Sequence, residues 1–114
     1  MVEIDLNNQL IEIDLFNLFK KQLKKDFETC GLDINFIDEL PSDFLKLKII
    51  LINQLQPLFI NKIVLSNLLN RIDISETQLN NYQVKKISFS FEEIITELIV
   101  KRTLQKVILK KRFS

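Results

Sequence analysis

Few residues of this chain belong to the types that carry out chemistry, and the missing types restrict its function most. Its 114 residues include no histidine, one cysteine and one glycine. Without histidine, neither a Ser-His-Asp arrangement nor a histidine-based metal site can form. One cysteine makes neither a zinc knuckle nor a redox pair, and Gly31 alone makes no glycine-rich phosphate loop. The sequence therefore predicts a protein that is not an enzyme, uses no cofactor and implies no small-molecule substrate.

Two pairs of adjacent carboxylates remain as candidates for acid–base chemistry, Asp38 with Glu39 and Glu92 with Glu93. Adjacent side chains on a helix do not face each other, so neither pair is suited to shared proton transfer. Glu92 and Glu93 also follow a helix start, where acidic residues compensate the helix dipole. Cys30 stands near a predicted helix C-terminus, the wrong end for a lowered thiol pKa. We expect no catalytic residue among the five.

Charge is distributed unevenly along the chain, although the net charge is only +1. Residues 1–45 carry ten acidic and four basic side chains, residues 46–84 carry two acidic and four basic ones, and residues 85–114 carry three acidic and eight basic ones. An acidic first part and a basic last part can pair within one chain, across a dimer or with another partner. The sequence does not choose among these three.

Composition and length predict a single globular domain over residues 1–114, because 46% of the residues are hydrophobic and 27% are charged. No uncharged apolar run approaches the roughly 20 residues needed to span a bilayer. The acidic N-terminus lacks the basic region of a signal peptide. Together with the lone cysteine, these features predict a cytoplasmic protein.

The most apolar segment lies between Pro41 and Pro57. Its apolar residues fall on nearly all sides of a helical wheel, which is typical of a buried helix. Alternation around Leu45 favours a strand instead, but the length of the segment and the helix start at Asp43 favour a helix over 43–55. We therefore expect a compact all-α bundle of about four to five helices around this central helix.

Other segments show helical patterns of different strength. A helix over 15–30, a turn of helix within 32–40, a helix from 62 to about 72, a short helix over 76–81 and a last helix of about 20 residues after Ser90 are predicted. Asp14 is expected to cap the first of these and Gly31 to end it. Residues 2–13 alternate apolar and acidic side chains and fit either a short β-hairpin or a helix.

Four lysines lie on the polar side of the helix over 15–30. They are Lys20, Lys21, Lys24 and Lys25. Because Asp26 and Glu28 follow them and no aromatic residue stands between them, we predict a solvated helix face and no phosphate-binding patch.

The last helix carries two apolar stripes on opposite sides, one of them including Ile94 and Leu98. A helix with two stripes must cover one against its own domain and the other against a neighbour. Curvature of the helix over its own core accounts for part of such a pattern. For the rest, the pattern predicts a homodimer, or binding to another protein, through the second stripe and the basic end of the helix. The residues concerned are Val100, Leu104, Val107, Lys106, Lys110, Lys111 and Arg112.

A nucleic-acid-binding domain is the alternative hypothesis. Residues 64–81 fit a helix-turn-helix, with Thr77, Gln78 and Asn81 on the second helix, and such side chains contact base edges and phosphates. The turn lacks glycine and the second helix lacks lysine and arginine up to residue 84. Phosphate binding would therefore require the basic last helix to lie beside it.

Overall fold

Helices make up most of the described chain. The computed structural model describes residues 9–10 and 12–113, without the side chain of Phe113. Within these residues lie five α-helices, a short 3-10 turn and no strand. The elements are α1 (Ile13–Thr29), the 3-10 turn (Ile37–Glu39), α2 (Phe44–Ile60), α3 (Lys62–Ile72), α4 (Glu76–Lys85) and α5 (Phe91–Phe113). The predicted all-α class is confirmed.

The hairpin considered for residues 2–13 falls mainly outside the described residues. Gln9 and Leu10 are helical, and Ile13 begins α1. Leu10 is fully buried and belongs to the hydrophobic core. The part of this range that the structure describes therefore contains helical residues and the extended N-cap Glu12, and no strand.

Side-chain caps fix the starts of α4 and α5. The N–H of Ser75 donates to Gln78 Oε1 at 2.8 Å, and the N–H of Gln78 donates to Ser75 Oγ at 3.1 Å. Ser90 and Glu93 form the same reciprocal pair at 3.2 and 3.1 Å. Each of these two helices therefore begins with a capping box, directly after Ser75 and Ser90 as predicted. The helix α4 continues to Lys85, beyond the predicted end at 81, so the segment after it is a shorter connection than expected.

The two ends of α1 show one wrong prediction and one confirmed prediction. The carboxylate of Glu12, and not that of Asp14, accepts the first backbone N–H groups of the helix. Gly31 adopts a φ of 75°, and the N–H of Leu32 donates to the carbonyl of Phe27 at 3.0 Å. This left-handed ending is the role predicted for Gly31, since glycine enters this region without strain.

The helix α2 runs to Ile60 and passes through Pro57, where the predicted helix stopped short. Proline removes one helical hydrogen bond and disfavours the α conformation of the residue before it. Packing outweighs this cost. Leu58 is buried, and the Phe59 ring lies 6.4 Å from that of Phe91, so residues beyond the proline gain contacts only if the helix continues.

The central helix of the bundle is α5, and the prediction that residues 43–55 occupy this place is wrong. α5 packs against α1, α2, α3 and α4. All seven residues from Ile94 to Val100 are buried. In contrast, α2 buries one side, which includes Leu47, Leu51 and Leu55. Both apolar stripes of α5 are covered, because α2 packs against its N-terminal part and α1 packs against its C-terminal part.

Candidate functional site

The apolar residues predicted to bind a partner lie in the hydrophobic core. Val100 and Leu104 are fully buried, and Val107 is nearly so. The helix α1 packs along this part of α5 with its own buried side, which includes Phe19 and Leu23. These three residues are therefore core residues, and their prediction as a partner surface is wrong because α1 covers the second stripe within the same chain.

The basic end of α5 also contacts its own chain. Lys106 Nζ donates to the carbonyl of Arg71 at 2.9 Å, and Lys110 Nζ donates to Gln22 Oε1 at 2.7 Å. Lys111 Nζ lies 3.8 Å from a carboxylate oxygen of Glu12. Arg112 is exposed. The acidic first part and the basic last part of the sequence therefore pair at least partly within one chain.

A buried carboxylate organises this contact between α1, α3 and α5. The Asp26 side chain is 1% exposed. It accepts hydrogen bonds from Gln22 Nε2 at 3.1 Å, Arg71 Nε at 3.2 Å and Lys106 Nζ at 3.4 Å. Such paired and hydrogen-bonded burial is what an ionised carboxylate requires in a protein interior. Asp26 therefore orients three helices, and the sequence, in which its partners are up to 80 residues away, does not indicate this.

A second polar cluster joins α2, α4 and α5. Lys48 Nζ lies 2.7 Å from Glu97 Oε2 and 3.2 Å from Glu93 Oε2. Tyr82 donates its hydroxyl hydrogen to Glu97. Lys48 Nζ also lies 4.4 Å from the centre of the Phe89 ring, within cation–π range. This cluster therefore joins α2 and α4 to the central helix.

The pKa of Glu93 is lowered, first because the N–H of Ser90 donates to its carboxylate and second because Lys48 does so. A lowered folded-state pKa contributes stability that is present above the ordinary value of 4.5 and is lost as pH falls through the folded value. The wild type should therefore lose stability as the pH falls below about 4.5.

Replacing Glu93 with glutamine should flatten this pH dependence while keeping an acceptor for the capping box. Urea unfolding at several pH values measures the slope. Glu92→Gln is the matched control, because its side chain takes part in neither of the two bonds to Glu93. Equal slopes for Glu93→Gln and the wild type would contradict the assigned role.

Both helices of the predicted helix-turn-helix form, as α3 and α4 joined by residues 73–75, but they do not pack against each other. α3 and α4 both pack on α5, and no backbone contact brings them together. Thr77 and Asn81 are exposed, while the Gln78 side chain serves the capping box of α4. Gln78 and Asn81 do line a groove of about 250 Å³ beside α5, together with Lys101 and other residues. The last helix is therefore adjacent to α4, as that hypothesis required, but α3 and α4 do not pack into one compact two-helix unit.

An uncovered apolar face on α2 is the candidate site. Leu45 is 69% exposed and Ile49 61% exposed, and Ile52 and Phe59 lie partly exposed on the same side. With Gln56, these residues are spaced by four, three, four and three positions, the spacing of a helix that packs along another helix. The buried side of α2 contacts α3 and α5. We call this face the α2 seam: Leu45, Ile49, Ile52, Gln56 and Phe59.

The α2 seam is uncharged along most of its length. Residues 49–61 contain no acidic or basic side chain. At its far end, the Phe59 ring contacts the Phe91 ring edge to face. Ile60 and Ile63 are also largely exposed beside this end. Contiguous exposed apolar surface of this kind marks an interaction site more often than scattered apolar residues do. The heptad spacing was present in the sequence, but the prediction assigned all sides of this helix to the core.

Among the described residues, no group of three or more acidic, cysteine or histidine side chains is placed to hold a metal ion, and no helix is long and apolar enough to cross a membrane. Burial and the nearby Asp26 raise the pKa of the Cys30 thiol, in agreement with its expected lack of reactivity. Comparison of the chain with protein-family models, curated proteins and solved structures gives no match.

Proposed function

We propose that this protein is a non-enzymatic helical interaction module that self-associates, and that two copies pair through the α2 seam. The exposed heptad spacing on α2 is the observation that carries this proposal. Covering a stripe of this type with another apolar surface is favourable in water, and contiguous exposed apolar surface often marks an interaction site. The proposal keeps the predicted class of function and moves its surface from α5 to α2.

The absence of charge on the α2 seam favours a second copy over a charged partner. A two-fold dimer brings the same patch of each copy together, so any charge near the centre of the patch would face the same charge on the other copy. From residue 49 to residue 61 this repulsion does not arise. The seam is therefore electrostatically compatible with itself.

Antiparallel pairing fits the seam best. It places Ile49 of one copy against Ile52 of the other, twice, and Leu45 against Gln56 at each end. It also sets the positive end of each helix dipole near the negative end of the other. Two layers of isoleucine would then form the dry centre, flanked by layers that contain an amide.

Replacing Ile49 with glutamate should weaken dimerisation by about tenfold or more, because a carboxylate would enter the apolar centre of the interface. Sedimentation equilibrium over a range of protein concentrations measures the dissociation constant. Lys46 lies one turn before this position on the solvent side, so the isolated helix should tolerate the change.

Ile13→Glu is the matched control, because Ile13 is 73% exposed at the start of α1, outside the α2 seam. It makes the same chemical change and should leave the dissociation constant near the wild-type value. A wild type that stays monomeric at high concentration would overturn the proposal, as would an equal effect of the two variants.

We also propose a reducing compartment, the cytoplasm, as the location. The lone Cys30 supports this, since it can form no disulfide within the chain.

A further inference from the structure

A groove lined by lysines lies between α1 and the C-terminal part of α5. Its cations are Lys21 and Lys25 from α1 and Lys110 and Lys111 from α5, and the groove has a volume of about 430 Å³. Gln22 lies between the two rows of cations, and no acidic side chain in the described part of the chain lines the groove. A chain with a net charge of +1 therefore concentrates four positive charges in one concave site. We call this site the lysine groove.

The two α1 lysines are available to a ligand. Lys21 and Lys25 are exposed, and neither side chain has an ion-pair partner among the described residues. The other two lysines are held by their own chain, Lys110 by Gln22 at 2.7 Å and Lys111 more loosely by Glu12 at 3.8 Å. An ammonium group carries three donors, so Lys110 can keep its bond to Gln22 and still donate to an anion.

We propose that the lysine groove binds a ligand that carries several adjacent phosphate groups, such as a linear polyphosphate or the phosphates of a nucleotide. Lysines are point charges that bind phosphate oxygens without the fixed geometry of arginine. Among the residues that the structure describes, no aromatic side chain on which a base could stack lines the groove. Its volume lies within the usual range for small-molecule sites and exceeds what a single phosphate would fill. The phosphates themselves are therefore the recognised chemistry.

The lysine groove is formed by two helices that are far apart in the sequence. This explains why the pattern of α1 alone predicted no phosphate-binding patch. The α1 lysines were predicted to form a solvated face because Asp26 and Glu28 follow them. In the structure Asp26 is buried and pairs with Arg71 and Lys106. Lysines from the far end of the chain then add to those of α1.

Isothermal titration of the full chain with inorganic tripolyphosphate tests the proposal. The variant Lys21→Gln/Lys25→Gln removes two charges from the lysine groove. The control Lys20→Gln/Lys24→Gln removes two charges from the same helix outside it, where Lys24 pairs with Asp38 and Lys20 lies over Phe16. We expect the groove variant to bind about tenfold more weakly than the wild type and the control to bind within about twofold. Affinity should fall as salt is raised, because exposed charges are screened.

Absence of tripolyphosphate binding at 50 mM salt would overturn the proposal, and so would equal losses in the two variants, which would reflect net charge alone. Vesicles that contain a phosphorylated inositol lipid separate the two sources of phosphate. Vesicle binding that tripolyphosphate displaces supports the site with a lipid headgroup as the source, and vesicle binding without tripolyphosphate binding contradicts it. Binding of duplex DNA that tripolyphosphate does not displace also contradicts it. The Ile49→Glu variant should bind tripolyphosphate with the same affinity as the wild type, because the lysine groove lies outside the α2 seam. A failure of the phosphate proposal can therefore be distinguished from a failure of the dimer proposal.

Discussion

Replacing Lys48 with methionine is expected to lower the free energy of unfolding by about 3–5 kcal/mol, the usual cost of removing one partner from a buried ion pair. The side chains of Lys48 and Glu97 are only 10% and 7% exposed. Methionine keeps the length and the helix propensity of lysine, so the loss reports the missing charge. Glu97 would then remain buried with the Tyr82 hydroxyl as its hydrogen-bond donor.

The double variant Lys48→Met/Glu97→Leu should recover most of this loss. Two apolar side chains of similar volume bring no buried charge into the site, and such replacements are often neutral or stabilising. Glu93 keeps contact with water and tolerates the loss of Lys48. Urea unfolding of the wild type, both single variants and the double variant closes a double-mutant cycle.

Lys46→Met provides the control for this cycle. Lys46 is exposed on the same helix, so its replacement should change the unfolding free energy by no more than about 0.5 kcal/mol. Equal effects of Lys46→Met and Lys48→Met would show that the buried ion pair does not hold α2 to α5.

Local signals in the sequence predicted the helix boundaries well. The capping boxes at Ser75 and Ser90 and the glycine ending at Gly31 depend on side chains and backbone groups within a few residues of each other. Their chemistry is complete without the rest of the fold. The end of α2 was predicted poorly for the opposite reason, because contacts of Phe59 with a distant helix outweigh the local effect of Pro57.

The arrangement of the helices was less accessible from the sequence. On a helical wheel α2 appeared apolar on all sides, while α5 carried Glu97 and Thr96 among its apolar residues. Composition therefore favoured α2 as the central helix. The pairing of Glu97 with Lys48, 49 positions away, and the bond from Thr96 to the carbonyl of Glu92 make those polar residues compatible with burial. Such pairings become visible only once the helices are placed.

The two candidate sites were also missed because they depend on how the helices are placed. The spacing of Leu45, Ile49 and Ile52 is present in the sequence, but only the fold shows that this side of α2 is exposed. The lysine groove depends on two segments that are about 85 residues apart, so no local motif could indicate it. In both cases the sequence shows the types of the residues, and only the structure shows that they are exposed and close together.

Replacing Leu104 with alanine is the second change with a large expected effect, a loss of about 2–5 kcal/mol in the free energy of unfolding. Leu104 is fully buried between α5 and its neighbours. The truncation removes apolar contacts and leaves a cavity, and both effects lower stability. If Leu104 instead contacted a second copy, the main effect would be on dimerisation.

Measurement in the Ile49→Glu background separates these two outcomes, because that variant is expected to be monomeric. The loss caused by Leu104→Ala should persist there at full size and should not depend on protein concentration. Leu109→Ala is the matched control on the same helix, since Leu109 is 47% exposed and should lose much less stability. A loss that disappears in the monomeric background would show that Leu104 stabilises the dimer and not the folded monomer, because only a residue at the dimer contact loses its effect when the dimer is already apart.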